Sequence, residues 1–389
     1  RDVGVPLKPG EEYIDEGPAV AIFACRAGTP QELLRAAESI AQEASAYLKG
    51  ERGFEGRISY SSSDEVRVEF DLEGFDRAMR RYIDGFKFNG FNAAGLFRAI
   101  PRSIGPYERF TPEFEEIYRK VARELEDHLR ERGWLDEAYF YWFDEPSEED
   151  YPFVIKGMEL LKRVAPGVKR LLTEQPEPPL YGHVDIWVPV LNMFDPERAE
   201  ERQRAGEEVW WYVCCGPRAP YPNNFIDHPA ICHRIRFWAA EKYGVQGSLY
   251  WSTTYWASFG KPRNPWKDPA SYSPTGTFWG NGDGFLLYPP RREIPSEPVI
   301  EGPVDSIRWE LIREGLEDRE YFFILRELLR EAEGKAGEDV LREAREALKL
   351  PDELVRSLTD FTTDPEEIFK ARERVARAIE RLKSHLEGS

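Results

Sequence analysis

Ala138-Tyr139-Phe140-Tyr141-Trp142-Phe143-Asp144-Glu145-Pro146 is an unbroken apolar run that ends in two acids and a proline, with a helix-capping Ser147 directly behind them. A strand covered on both faces reads this way, because flanking helices leave it no polar side. The helix expected after it runs to about Val164, with Phe153, Met158 and Leu161 turned inward. Strand followed by helix, repeated, implies a parallel sheet. In a barrel of such units the C-terminal strand ends form the active face, which is where Asp144 and Glu145 stand.

Working outward, strands are expected at Ala19–Cys25, Val66–Phe70, Phe88–Ala93, Ala138–Trp142, Arg170–Thr173, Val184–Val188, Val209–Val213 and Ser248–Trp251. Their number suits an α/β fold of the (β/α)8 TIM-barrel type. A further run, Gly284–Tyr288, reads as a hairpin at the mouth or as a substitute for one of the strands. Helix starts are marked by Thr29-Pro30-Gln31-Glu32, Thr111-Pro112, Asp195-Pro196 and His228-Pro229. The helix after Thr111 carries Phe114, Ile117, Val121 and Leu125 on one stripe. The link from Thr173 to Val184 is too short for a full helix, so the barrel is expected to be irregular there. Residues 1–302 are read as the barrel. Residues 303–389 are strongly charged and helical, and are read as a C-terminal extension packing on it.

The chain has 389 residues, enough for one large barrel. Its net charge of −18 argues against nucleic acid or an anionic membrane surface as partner, and suits a neutral ligand. Aromatics reach 13%, many in Gly/Pro-rich segments, where flat apolar faces suit sugar rings. No run approaches the ~20 apolar residues of a membrane span. The start, Arg1-Asp2-Val3, carries no signal peptide, so a soluble chain is expected, cytoplasmic or a processed secreted form. The cysteines Cys25, Cys214, Cys215 and Cys232 have no metal-ligand spacing, and the histidines no HExxH pattern, so neither metal nor cofactor is expected. Cys214 and Cys215, read as strand neighbours, should point to opposite faces as buried free thiols. The oligomeric state is not legible.

Carboxylates against apolar walls suit general acid work. Glycosidases ordinarily use two that flank the scissile bond. Consecutive acids at a strand end reach two sites of one ligand but do not easily bracket a bond. That favours substrate-assisted catalysis, in which the sugar's own 2-acetamido oxygen attacks while one carboxylate orients the amide and the other protonates the leaving oxygen. Two readings stay open beside it. One is a conventional pair of Glu145 with Glu174 or Asp283, and the other is a non-catalytic carbohydrate-binding barrel. A phosphate-binding barrel is disfavoured, because no Gly-rich loop precedes a helix. Candidate substrate contacts are Glu174, Asn192, Tyr212, Asn223, Trp251, Tyr255, Trp256 and Asp283, all at or beyond expected strand ends.

Tyr141–Pro146, Trp210-Trp211-Tyr212-Val213-Cys214-Cys215-Gly216-Pro217 with Tyr221-Pro222-Asn223, Tyr250-Trp251-Ser252, and Gly282-Asp283-Gly284-Phe285-Leu286-Leu287-Tyr288-Pro289 together resemble the catalytic domain of glycoside hydrolase family 123. The resemblance runs from roughly Val66 to Phe323, and Arg1–Ser63 lies outside it. It implies a (β/α)8 barrel that hydrolyses terminal β-linked N-acetylgalactosamine with retention, by the substrate-assisted route. It further implies that Asp144 orients the acetamido group and that Glu145 is the acid/base.

Overall fold

The computed structural model describes residues 21–22, 55–60, 66–93, 99–104, 106–259, 261–293 and 302–387. Its main sheet has strands β1 (Ala21–Ile22), β2 (Phe91–Asn92), β3 (Ala138–Tyr141), β4 (Lys169–Leu172), β5 (Ile186–Trp187), β6 (Glu208–Val213) and β7 (Gly247–Tyr250). Their spatial order is β1-β7-β6-β5-β4-β3-β2. Strands β2 to β7 lie parallel in chain order, and β1 pairs antiparallel with β7.

The expected closed eight-stranded barrel is therefore corrected. Among the described residues the sheet is open, with six consecutive parallel strands. The run expected as a second barrel strand, Val66–Phe70, instead lies in the strand Val66–Asp71, which pairs antiparallel with Glu55–Tyr60 as a separate hairpin. An alternating run announces a strand but not which neighbour it takes. Leu287–Tyr288 pairs with Val304–Asp305, the hairpin alternative for that segment. The expected helix start at Thr29 lies outside the described residues.

Crossover helices α1 (Pro112–Arg132), α2 (Tyr151–Val164), α3 (Pro196–Arg204) and α4 (Cys232–Lys242) link successive strands. Thr111 caps α1 by accepting the Phe114 N–H at 3.3 Å, and Phe114, Ile117, Val121 and Leu125 are buried as expected. The link from Thr173 to Val184 holds only the short 3-10 turn Pro178–Leu180. On α2, Met158 and Leu161 are buried, but Phe153 is 41% exposed. The helix begins at Tyr151, so its inward stripe is Val154, Met158 and Leu161, and Phe153 falls one residue off it.

The sheet has two apolar faces. Phe140, Leu172, Trp187, Trp211 and Tyr250 face the helices and join the large core. Tyr139, Leu171, Ile186, Val188, Trp210, Tyr212 and Leu249 form a smaller cluster on the opposite face. Strand alternation thus divides Trp210-Trp211-Tyr212 between the two. Burying one such side chain contributes ~1.5–3 kcal/mol, so both faces hold the sheet.

After residue 302 come α5 (Ile307–Ala332), α6 (Glu338–Ala347) and α7 (Pro365–Glu387). Helix α5 packs on α4 through Asp318, buried, which accepts from Arg234 at 2.6 and 2.8 Å and from the Trp238 indole at 2.7 Å. Among the described residues no helix is long and apolar enough to cross a membrane.

Candidate active site

Among the described residues, the side chains hydrogen-bonded to the two acids come from the C-terminal ends of β3, β4 and β6. Register places Tyr141 opposite Leu171, so Thr173, two residues on, emerges beside the end of β3. The Thr173 hydroxyl donates to Asp144 Oδ1 at 2.8 Å and accepts the backbone N–H of Glu145, also at 2.8 Å. The Tyr141 phenol donates to the same Asp144 oxygen. Tyr212, on β6, donates its phenol to Glu145 Oε1. Each acid therefore has one oxygen tied to a tyrosine, and among the described residues neither Asp144 Oδ2 nor Glu145 Oε2 has a partner. Both acids are exposed.

Burial, and next the charge of Asp144, push the Tyr141 phenol well up, and burial, then Glu145, do the same for Tyr212. Both phenols stay protonated as fixed donors. Glu145 sits at φ +43°, a left-handed backbone that costs an ordinary side chain ~1–3 kcal/mol. At this turn Asp144 meets the Tyr141 phenol and Glu145 meets that of Tyr212.

Glu174, two residues past β4, is buried, and its side chain accepts the Gln175 N–H at 3.1 Å. Burial, with smaller contributions from Glu177 and Glu145, pushes its carboxyl up to about 7.

Asp283 forms a second acidic centre. It is 1% exposed, and its Oδ1 accepts from the Tyr250 phenol at 3.1 Å and the Trp251 indole at 3.2 Å. Its Oδ2 is buried without a partner. Burial pushes this carboxyl up to about 6, against those donors. The loop carrying it is tied to the C-terminal helices. Arg308, in the first turn of α5, donates to the carbonyls of Gly282 at 2.8 Å, Asn224 at 2.7 Å and Phe285 at 2.6 Å. At Gly284, φ is +75° and an added Cβ would meet the Trp251 ring at 2.2 Å, so glycine is required twice over.

Trp251, Tyr255 and Trp279 cluster beside Asp283, with ring centroids 4.8 to 5.6 Å apart, and all are half-buried. Trp256, half-buried too, turns its indole to the Leu287 carbonyl at 2.9 Å and has no ring contact with that cluster. Asn223 is buried and donates its amide to the carbonyls of Cys214 at 3.0 Å and Pro217 at 2.9 Å, so it braces the loop after β6. Asn192 is exposed on the 3-10 turn Leu191–Met193, and no contact among the described residues ties it to the carboxylates.

Two features were not legible in advance. The part played by Thr173 depends on the register of β3 against β4, and that of Arg308 on the packing of α5. A third is a correction. Strand β6 stops at Val213 and the chain bends at Cys214-Cys215, bringing the two sulfurs to 3.9 Å instead of onto opposite faces. Nor are these thiols buried, since Cys214 is intermediate and Cys215 exposed. Among the described residues no cluster of His, Cys, Asp and Glu is arranged to hold a metal ion.

Set against known families, residues 95–325 match the profile described as glycoside hydrolase 123, catalytic domain. A solved family 123 glycoside hydrolase from Clostridium perfringens, described for glycolipid glycan hydrolysis, shares 17% identity with the chain at a TM-score of 0.49. That similarity covers 85% of this chain and 57% of the other, so the chain spans little more than half of that protein. No curated protein matches the chain.

Proposed function

The chain belongs to glycoside hydrolase family 123, and from that premise we propose that it removes a terminal β-linked N-acetylgalactosamine, or a related 2-acetamido sugar, by a retaining, substrate-assisted mechanism. The observation that carries this reading is the pair of consecutive, exposed carboxylates, each with one oxygen fixed by a phenol and the other open. Asp144 Oδ2 accepts the acetamido N–H and turns the carbonyl oxygen toward the anomeric carbon. Glu145 Oε2 carries the proton that goes to the leaving oxygen. The acetamido oxygen then forms the bond to the anomeric carbon as the glycosidic bond breaks.

Tethering gives the acetamido oxygen a high effective molarity, so no protein nucleophile is needed. Positive charge grows on the amide nitrogen as the ring closes, and a fixed carboxylate there stabilises the transition state more than the ground state. In the second half, Glu145 takes a proton from water, which opens the cyclic intermediate from the same face and restores the original configuration. The half-buried rings of Trp251, Tyr255 and Trp279 supply an apolar wall for the sugar, and Asp283, buried beside them, holds the Trp251 indole at 3.2 Å.

The test is a panel of nitrophenyl glycosides with and without a 2-acetamido group. Turnover confined to the acetamido members supports the mechanism, and equal turnover of both overturns it. A second reading has one observation in its favour. Glu174, pushed up to about 7 and within electrostatic reach of Glu145, has the character of an acid in a conventional pair. That reading takes over if glycosides lacking the acetamido group are cleaved and Glu174→Gln abolishes the cleavage.

A further inference from the structure

We propose that Cys214 and Cys215 are a thiol-modification site, closed to a vicinal disulfide by exchange with a low-molecular-weight disulfide, and that closure slows the hydrolysis proposed above. The activity half of this rests on that functional reading and the modification half does not.

The two sulfurs are 3.9 Å apart, in van der Waals contact and on the same side of the bend that ends β6. Cys215 is exposed, so a small disulfide reaches it, whereas Cys232 is buried. Hydrogen bonding from the Cys214 thiol, helped by Arg218, holds the Cys215 thiol below the ordinary cysteine range, and the same contact with burial pushes Cys214 up. The more exposed Cys215 is thus the sulfur that attacks first, and Cys214 the one that resolves.

The Cys215 thiolate attacks one sulfur of the reagent disulfide and releases one reagent thiolate, leaving a mixed disulfide. Cys214 loses its proton to solvent and attacks the Cys215 sulfur, releasing the second reagent thiolate. Two protein thiols are oxidised, one reagent disulfide is reduced to two thiols, and no other oxidant enters. Consecutive Cα atoms lie ~3.8 Å apart, less than the ~4.4–6.8 Å usual across a disulfide, so the closed ring is strained and readily reduced.

The link to the acid runs along the strand. Closure must draw the sulfurs from 3.9 Å to the ~2.05 Å of a bond. On the far side the backbone is held, since Asn223 donates to the Cys214 carbonyl at 3.0 Å and to the Pro217 carbonyl at 2.9 Å. The movement passes toward Tyr212, two residues away, whose phenol fixes Glu145. The Cys215 thiol also lies within electrostatic reach of both Glu145 and Asp283.

The experiment treats the full chain with excess oxidised glutathione, then maps the peptide containing 214 and 215 by mass spectrometry. Loss of two hydrogens without a retained glutathione is expected, and in Cys214→Ser a glutathione adduct that stays on Cys215. A wild-type peptide that stays reduced, or that keeps the adduct, overturns the site. Hydrolysis should fall about tenfold on oxidation, the cost of loosening one hydrogen bond to a charged group. It should return with dithiothreitol, and the Cys214→Ser/Cys215→Ser protein should not respond. A closed disulfide with unchanged turnover overturns the coupling to Glu145. If no glycoside is cleaved at all, the proposed function fails, while the mass map still decides the modification.

Discussion

Asp144 and Glu145 stand in the open at the end of β3, fixed by hydroxyl donors that include Thr173 just past β4 and Tyr212 of β6, whereas Asp283 is 1% exposed in a loop gripped by Arg308 of the C-terminal helices. The exposed pair is shaped by three donors on two oxygens and one strained turn. The buried acid is shaped by desolvation, which raises its carboxyl to about 6 and leaves one oxygen unsatisfied. Geometry is bought in the first region with backbone strain, and in the second with fold stability. Substitutions in the first should therefore move turnover and hardly move melting. In the second they should move melting in a pH-dependent way.

The largest effect is expected at Glu145→Gln, with hydrolysis of an unactivated glycoside falling ~10²–10⁴-fold. A nitrophenyl leaving group needs little protonation, so activity on it should fall much less. Equal losses on both substrates would remove the acid from Glu145. A melting shift as large as any at Asp283 would break the comparison itself.

Next is Asp144→Asn, which should lower kcat by ~10²–10³-fold, the size seen when a preorganised charge partner is lost. A thiazoline mimic of the cyclised sugar should bind wild type far more tightly than the free sugar does, and should lose affinity in the variant. If turnover drops and the mimic's Kd stays where it was, Asp144 does not orient the acetamido group.

Tyr212→Phe should cost ~1.5–3 kcal/mol of transition-state stabilisation, roughly tenfold or more in kcat with KM little altered, because a charged acceptor loses its donor. Steady-state kinetics decide it, and an effect confined to KM would mean that the phenol binds sugar instead of fixing Glu145.

The smallest effect belongs to Asp283→Asn. Folding raises the carboxyl from the ~3.9 of an unfolded aspartate to about 6. The folded state thus binds the proton more tightly, and the stability this group contributes is full below the unfolded value and is lost as pH rises through about 6. The amide mimics the neutral acid, so the variant should melt about a few °C above wild type at pH 8 and converge with it near pH 4. A lower melting temperature at pH 8 would show that the charge is stabilising after all.

The strand of Ala138–Tyr141 and the acids after it were legible because an unbroken apolar run that stops abruptly at polar residues fits little besides a strand covered on both faces. Helix α1 was legible for a similar reason, its cap and its stripe agreeing. What failed were statements about partners. Val66–Phe70 reads as a strand, but its antiparallel mate Glu55–Tyr60 takes it out of the main sheet. Phe153 missed the core by one residue, because α2 starts only after the turn Glu148–Asp150. Cys214 and Cys215 were assigned opposite faces by extending β6 two residues past its end. Within the candidate site the carboxylates, Tyr212 and the Trp251–Tyr255 rings stood out by type and position. Thr173 and Arg308 did not, since an ordinary hydroxyl and one more arginine gain meaning only from the chain segments folded against them.

Held at φ +43°, Glu145 occupies backbone that glycine or asparagine would adopt at less cost. Under the mechanism proposed above, replacing Glu145 by glycine or asparagine relaxes this turn but discards the acid, so fold and chemistry pull the position in opposite directions. A lineage released from the need to hydrolyse glycosides should lose Glu145 early, and to a small or amide residue. The apolar run before it, needed by the sheet in any case, should persist, leaving an open-sheet remnant that is more robust than its ancestor and chemically silent.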